Sequence, residues 1–481
     1  MSKKIYYILL LLTSIISVYL GFNSTIIPDI ILYLIILIYI IILGLILLLL
    51  RSNKNKKKKK KKKKRHLKKK IRLFFITLLS LIAIIMDIGL CLLYFRTNNF
   101  FNRITNVKFE TNNYSVIVLK ESTYTTLDEL KTIGLYGNLI DKSYEEAKKE
   151  LNSKATIENK DYDSIIDLIN DLYNQDIDSI FINENYIELI NENDEEFKDN
   201  IRKLDTITIK SLNEKNSNND INLNKLESFN IYISGIDTYG EISNVSRSDV
   251  NIIATVNLKE SKILLTNTPR DYYVQLAGTT GNKDKLTHAG MYGINTSIKT
   301  LEQLYDIKIN YYVRVNFNTL ITLVDSIGGI DIYSDAEFVP YTDRSVYVKY
   351  GWNHFNGKEA LAYSRERMTY SEGDRHRGQN QQQVIEAIMK KVTKSRDINT
   401  YLNLLSVLEK SIQTNMNKKL INSFINLQIK NNYDWTFESI GVTGYDSGNY
   451  TYSYPGQYLY VMEPDNESVD VAKEKIKEML K

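Results

Sequence analysis

A single cysteine, Cys91, in 481 residues excludes any disulfide within the chain. It sits inside an apolar run with no lipoprotein cleavage box before it, so a buried small hydrophobe is expected there. The four histidines show no His/Cys spacing for zinc. There is no Gly-x-x-x-x-Gly-Lys-Ser loop to hold a nucleotide and no Gly-x-Ser-x-Gly elbow for acyl transfer. Acidic residues are nearly missing from the first 95 positions, where only Asp29 and Asp87 occur.

That same stretch holds three apolar runs, at 5–20, 26–50 and 71–95. The last two suit ~20-residue spanning helices and the first is shorter. No small-x-small site follows the first run, so it is expected to stay in the membrane rather than be cleaved as a leader. Between the second and third runs, residues 51–72 include unbroken lysine from 56 to 64. A basic tract can bind nucleic acid, but between two spanning helices it reads as a cytoplasmic loop attracted to anionic lipid. Lys3 and Lys4 place the N-terminus on the same side, so three crossings carry everything after Phe95 outside. Residues 1–95 hold 18 of the 62 basic residues and two of the 57 acidic ones, leaving a net charge of −11 on an otherwise +5 chain. An acidic exported part argues against a nucleic-acid partner.

The expected organisation is a membrane region (1–96), an α/β accessory domain (105–210), a polar linker (211–226) and a larger α/β domain (227–481). In the accessory domain, strands at 114–119, 131–136 and 177–182 alternate with helices at 144–151 and 165–173, which predicts a mostly parallel sheet. The larger domain opens with a strand at 229–235. Further strands are expected at 250–256, 262–268, 313–317, 330–333 and 457–462. Helices are expected at 296–304, 320–327, 469–480 and from 381 onward, where Val384, Ile385, Ile388, Met389 and Val392 recur at helical spacing. The fold class is α/β, with helices on both faces of a central mixed sheet in an α/β/α sandwich.

Charged residues in the second half gather at strand ends, where α/β sheets bind ligands. They are Asp237, Arg247, Asp249, Arg270 and Asp271, then Lys285, Arg365, Arg367, Asp374 and Arg377, with the neutral Gln381 one turn further on. Arginine grips phosphate bidentately and keeps its proton. Carboxylates that stay charged among arginines suit a hard cation such as magnesium. Arg247 with Asp249, and Arg365 with Arg367, share faces if their segments are extended. Asp374, Arg377 and Gln381 would then reach the same point from a turn leading into a helix, whose free N–H groups also favour phosphate. His288 reads as a hydrogen-bonded structural residue. Stripes such as Leu320, Leu323 and Val324 read as core.

The chain resembles the LytR-CpsA-Psr family of cell-wall glycopolymer ligases over 229–392, about a third of its length. The matching motifs are Gly235-Ile236-Asp237, Arg247-Ser248-Asp249, Pro269-Arg270-Asp271 and Lys285-Leu286-Thr287-His288-Ala289. They continue through Tyr311-Tyr312-Val313, Leu323–Gly329, Ala360–Arg367 and Gly373-Asp374 with Arg377 and Gln381-Gln382. The resemblance implies a transferase of a capsule- or teichoic-acid-like polymer from a polyprenyl-pyrophosphate carrier to peptidoglycan, at the outer face of a bacterial plasma membrane. It implies magnesium (or manganese) on Asp237 and Asp249, with Arg247, Arg270, Lys285, Arg365, Arg367 and Gln381 on the pyrophosphate. Asp374 and Arg377 would support them, and Asp271 or Asp374 would deprotonate the acceptor. Asn380 stands where the family often has arginine, and Thr266-Asn267-Thr268 replaces a more apolar strand. Two other readings use the same residues: a hydrolase of lipid-linked pyrophosphate, and a membrane-bound regulator without enzymatic activity.

Overall fold

The computed structural model describes residues 3–24, 29–51, 62–104, 109–137, 141–212, 227–236, 241–371, 373–395, 404 and 412–481. They form two compact units, Met1–Arg103 with Asn417–Tyr433, and Ile104–Met416 with Asp434–Lys481.

The first unit holds α1 (Lys3–Ser24), α2 (Asp29–Arg51) and α3 (Lys62–Ile104). Its spans Lys4–Asn23, Leu32–Arg51 and Leu67–Arg96 are long and apolar enough to cross a membrane. Their shared core is largely apolar, with Leu10, Leu32, Ile46 and Leu90 buried, and it contains a polar knot. There Ser17 Oγ and Tyr39 OH both donate to Asp87 Oδ1, at 2.6 and 2.7 Å. In hydrocarbon a carboxylate must find its partners on neighbouring helices, and this one ties all three together. Helix α3 begins nine residues before the expected third run, so the end of the basic segment is helical. Residues 52–61 lie outside the described residues. Cys91 is half-buried rather than buried, because a helix in so small a bundle covers only one stripe of its surface. Helix Lys418–Asn431, which the sequence does not announce and whose residues fall within the expected 227–481 domain, groups with this unit.

The second unit contains two main sheets. The first comprises β1 (Phe109–Leu119), β2 (Thr132–Leu135), β3 (Glu158–Asp161), β4 (Ser179–Asn183) and β5 (Ile201–Leu212), in the order β3-β2-β4-β1-β5. Helices α4 (Tyr144–Lys154) and α5 (Ile165–Tyr173) provide crossovers that make β2 parallel to β3 and β4. The expected mostly parallel sheet is in fact mixed, because β1 lies antiparallel to both β4 and β5. No helical crossover joins β1 to β2, and after α6 (Asn185–Asn191) and α7 (Phe197–Asn200) the long β5 turns back along β1. It runs two residues into the expected linker, whose remainder, 213–226, lies outside the described residues.

The central sheet is built from β6 (Phe229–Ile236), β7 (Ser248–Asn257) and β8 (Lys262–Asn267), which pair antiparallel. After the short strands β9 (Tyr273–Val274) and β10 (Asp284–Lys285), and helix α8 (Ile294–Tyr305), β11 (Tyr311–Val315) lies parallel to β6. Helix α9 (Phe317–Ser326) leads to the separate hairpin of β12 (Ile330–Ser334) and β13 (Gly351–Phe355). Then come α10 (Gly357–Arg365), α11 (Asp374–Lys394) and the edge strands β14 (Gln413–Thr414) and β15 (Thr436–Gly441). The sheet order is β14-β11-β6-β7-β8-β15. A second hairpin, β16 (Gly444–Tyr450) and β17 (Tyr458–Pro464), precedes the last helix, α12 (Asn466–Met479).

The sandwich is as expected. On one face Tyr232, Ile253 and Leu264 pack against Ile298 and Leu301 of α8 and Ala472 and Ile476 of α12. On the other face lies α11, where Gln382 Nε2 donates to Leu265 O and Ile440 O at 2.8 and 2.7 Å. The two sheets are also stitched together. Thr111 N donates to Ser243 O, and Val245 N donates to Thr111 O. Glu110 accepts from Ile294 N at 2.8 Å and lies 3.5 Å from Arg314 Nη1, both side chains being buried.

Candidate functional site

Asp249 owes its position to an irregularity between β6 and β7. Gly235 pairs with Val250 and Ile236 with Ser248, which leaves Asp249 as the extra residue and re-aims its side chain. The bulge needs Gly235, since a Cβ there would stand 2.7 Å from Val250 Cγ2. Arg247, just ahead of β7, is held by a second close approach. A Cβ on Gly290 would lie 2.5 Å from Ser246 O, so glycine lets the 286–292 turn pack directly on the backbone that carries Arg247.

Pro269-Arg270-Asp271 follows the end of β8, as the sequence suggests. Arg270 Nη1 donates to Asp249 Oδ2 at 2.8 Å, while Thr287 Oγ1 donates to Oδ1 at 3.1 Å. Arg270 Nε lies 3.5 Å from Asp271 Oδ2 but makes no hydrogen bond. Lys285 Nζ stands 3.4 Å from Asp271 Oδ1.

From the other side comes α11, which starts at Asp374 rather than near Gln381. The segment 374–380 has no apolar period to announce a helix, but backbone bonding begins with Arg377 N to Gly373 O. Asp374, Arg377 and Gln381 therefore share one helical face instead of a turn, and Arg377 pairs with Asp374. Arg365 and Arg367 do not share an extended face either. Arg365 ends α10 with its guanidinium 4.3 Å from the Phe317 ring centre, and Arg367 is exposed in the turn beyond.

These elements enclose a cavity of about 520 Å³ whose lining includes Arg247, Asp249, Arg270, Arg365, Arg367, Arg377 and Gln381. Asp271, Lys285 and Asp374 are not part of its lining; they join the cluster through Arg270 and Arg377. Asp237 lies outside the described residues. Most of the rest of the wall is apolar, with Ile236, Val315, Phe317, Leu320, Val384 and Ile385, interrupted by polar side chains such as Asn316, Thr342 and Ser364. Leu320 thus faces the cavity, whereas Val324 is fully buried core.

Burial would raise the Asp249 pKa, but Arg270, Arg377 and Arg247 outweigh it and bring it down to about 2. Asp374 moves the other way: burial and the nearby Asp271 and Asp249 charges prevail over Arg377 and Arg270, and its pKa is raised. One of the carboxylates is thus held ionised and another is biased toward its proton.

Asp249 is a hard-oxygen donor held charged, which suits a hard divalent cation. Among the described residues no three His, Cys, Asp or Glu side chains converge on one point, so a cation here would draw further oxygens from a bound phosphate. Asn380, fully buried, donates to Tyr363 O at 3.2 Å and ties α11 to α10 without lining the cavity. Asn267 lies against Gly378, where a Cβ would come within 2.1 Å of its Nδ2. His288 is structural, its Nδ1 2.6 Å from Asp284 Oδ1.

Two carboxylates at the site escape a reading of sequence. Glu192, just beyond α6 in the first sheet's layer, lines the cavity and accepts from Arg247 Nη1 at 2.5 Å. Glu366 accepts from Tyr341 N and Thr369 N at 2.6 and 2.8 Å, which fixes the turn carrying Arg367. An Arg-Glu-Arg triplet hints at Glu366, but nothing local signals Glu192.

Residues 191–470 match the LytR_cpsA_psr family. Curated relatives include polyisoprenyl-teichoic acid–peptidoglycan teichoic acid transferases named TagU. That of Bacillus cereus is 33% identical over 198 residues, 41% of this chain and 63% of the relative. That of Enterococcus faecalis is 34% identical over 206 residues, 42% of this chain and 66% of the relative. The chain therefore spans slightly under two thirds of the length of these relatives. Solved structures that resemble it include Bacillus subtilis TagV, at 27% identity and a TM-score of 0.46 over 53% of this chain and 98% of that one. TagT with bound octaprenyl pyrophosphate lipid is 26% identical with a TM-score of 0.42, over 55% and 94%. With the family match covering more than half of its length, the chain belongs to the LytR-CpsA-Psr family.

Proposed function

We propose that this protein transfers a glycopolymer from a polyprenyl-pyrophosphate carrier to peptidoglycan, leaving a phosphodiester link. The observation that carries the proposal is one cavity with arginines around Asp249 at one part of its wall and mainly aliphatic and aromatic side chains over the rest. That combination suits an amphiphile with a polyanionic head and a hydrocarbon tail. The curated relatives' names describe a transfer of the same kind.

Arg247, Arg270, Arg365, Arg367, Arg377 and Gln381 would bind the pyrophosphate oxygens, with Lys285 supporting from behind Asp271. Asp249, together with Asp237, would hold magnesium, which when bound supplies positive charge against the phosphate oxygens. In the reaction an acceptor sugar hydroxyl attacks the phosphorus that bears the polymer. A new P–O bond forms, the P–O bond to the bridging oxygen breaks, and polyprenyl phosphate leaves with that bond's electrons. The hydroxyl proton passes to a carboxylate, and Asp374, with its raised pKa, suits that role better than Asp249, which three arginines hold ionised. Arg270 and Arg377 offset the charge that grows on the phosphate oxygens. The basic residues 51–72 and the spans in 1–96 support an orientation in which this cavity opens outside the cytoplasm.

The test is donor turnover by the full-length protein in nanodiscs, with a synthetic polyprenyl-pyrophosphoryl oligosaccharide and peptidoglycan fragments. Joined product that needs magnesium and disappears on chelation is expected. Donor consumed in favour of free phosphorylated oligosaccharide would mean hydrolysis, and no turnover despite binding would leave a regulator.

A further inference from the structure

The β16–β17 hairpin carries a feature that the pyrophosphate chemistry does not use. Tyr450 pairs with Tyr458, and Gly448 with Tyr460. Leu459 and Val461 turn inward and are buried, while Tyr450, Tyr458 and Tyr460 remain 47%, 61% and 47% exposed on the opposite face. Three large rings on one wet face of a two-stranded ribbon form a patch that calls for an occupant.

The rings are fixed in advance. Tyr450 and Tyr458 meet edge to face, with centroids 4.9 Å apart. The Tyr458 ring lies over Gly448, where a Cβ would stand 2.8 Å from its Cδ1. Tyr460 OH donates to Asp446 Oδ1 at 2.7 Å.

The face is continuous with the charged cluster. Lys285 Nζ sits 5.9 Å from the centre of the Tyr460 ring and 3.4 Å from Asp271 Oδ1. Burial and Asp446 raise the Tyr460 phenol's pKa, and Asp271 and Asp374 are near enough to add to the effect. Through Lys285, Tyr460 therefore adjoins Asp271 at the edge of the charged cluster.

Charge selects the occupant. On the tyrosine face the two strands carry Asp446 and no lysine or arginine, Glu463 lies on the inward face with Leu459 and Val461, and Lys285 reaches the Tyr460 ring from outside the hairpin. A ring face on which Asp446 is balanced by Lys285 gives anionic lipid head groups or a polyphosphate chain little to hold. It suits a neutral sugar backbone, whose C–H faces stack on rings while its hydroxyls bond to phenol and carboxylate.

We propose that Tyr450, Tyr458 and Tyr460 dock the sugar backbone of the peptidoglycan acceptor and lead its hydroxyl toward Asp271 and Asp374. The proposal rests on the transferase reading and names where its second substrate lies.

The experiment measures binding of a β-1,4-linked N-acetylglucosamine tetramer to the full-length protein in nanodiscs. Tyr450→Ala and Tyr458→Ala should each weaken the glycan Kd about tenfold, as loss of a stacked ring does. Tyr458→Phe should retain it, and donor binding should not change in any of the three. In the transfer assay the alanine variants should raise the acceptor KM and leave kcat nearly constant. Unchanged glycan affinity, or joining with an unchanged acceptor KM, overturns the proposal and leaves the transferase reading intact. Glycan affinity lost in the alanine variants, with donor never joined by the wild type, keeps the glycan face and removes the transferase reading. Quenching of Tyr458→Trp fluorescence by brominated lipids would put this face against the membrane and overturn the proposal.

Discussion

Arg270 and Asp249 form the pair on which the site turns. With side chains only 18% and 15% exposed, neither is replaced easily by water. Removing one partner of such a pair costs about 3 kcal/mol and strands the other charge. Arg270→Ala is therefore expected to lower the unfolding free energy by that amount and to cut transfer by at least ~100-fold; denaturant melts and initial rates check the two separately. Asp249 also gives a signed pH dependence. Its folded pKa of about 2 lies below the ordinary 3.8, so its contribution is present above pH 3.8 and lost as pH falls through 2. The shift corresponds to about 2 kcal/mol, and it should vanish from the stability–pH curve of Asp249→Asn. Asp374 is shifted upward, so a step that needs its carboxylate fails as pH drops through a value above 3.8. An acidic limb there, absent from the residual activity of Asp374→Asn, is the expected rate profile.

Elements place these residues, and here the sequence is legible in part. Arg247, Asp249 and Arg270 could be read because each sits at the edge of a strand with a strong apolar pattern. The start of α11 could not, since 374–380 are polar and the helix is set by packing, with Gly378 against Asn267. Edge strands β14 and β15 were equally hidden, the first being two residues long and the second half-exposed. Glu192 reaches Arg247 across 55 positions of chain, a contact that only the tertiary fold creates. The glycines carry much of the precision. Gly290→Ala is expected to push the 246–248 backbone off the 286–292 turn. It should cost about 1–3 kcal/mol and lower donor affinity through Arg247, readable by lipid titration.

At the scale of the molecule, Glu110 and Arg314 lock the first sheet to the central one. Burial pushes the Glu110 carboxyl up and the Arg314 guanidinium down, and each charge offsets part of the other's burial cost. Glu110→Ala and Arg314→Ala are each expected to destabilise by about 3 kcal/mol. The double variant should cost well below their sum, as a double-mutant cycle by denaturant unfolding would show. In the membrane unit, Asp87 holds Ser17 and Tyr39 from the other two helices. Asp87→Ala should loosen that bundle by about 1–2 kcal/mol, measured by unfolding in bicelles.

The most direct test of the central claim is to isolate the product and look for the new bond. Full-length protein in nanodiscs would be given a polyprenyl-pyrophosphoryl oligosaccharide with peptidoglycan strands, and the strands digested and analysed by mass spectrometry and ³¹P NMR. A phosphodiester between oligosaccharide and glycan, formed by the wild type and missing with Arg270→Ala, is the predicted result. Phosphorus found only as a free phosphomonoester, or a phosphodiester formed equally well by Arg270→Ala, would contradict the account.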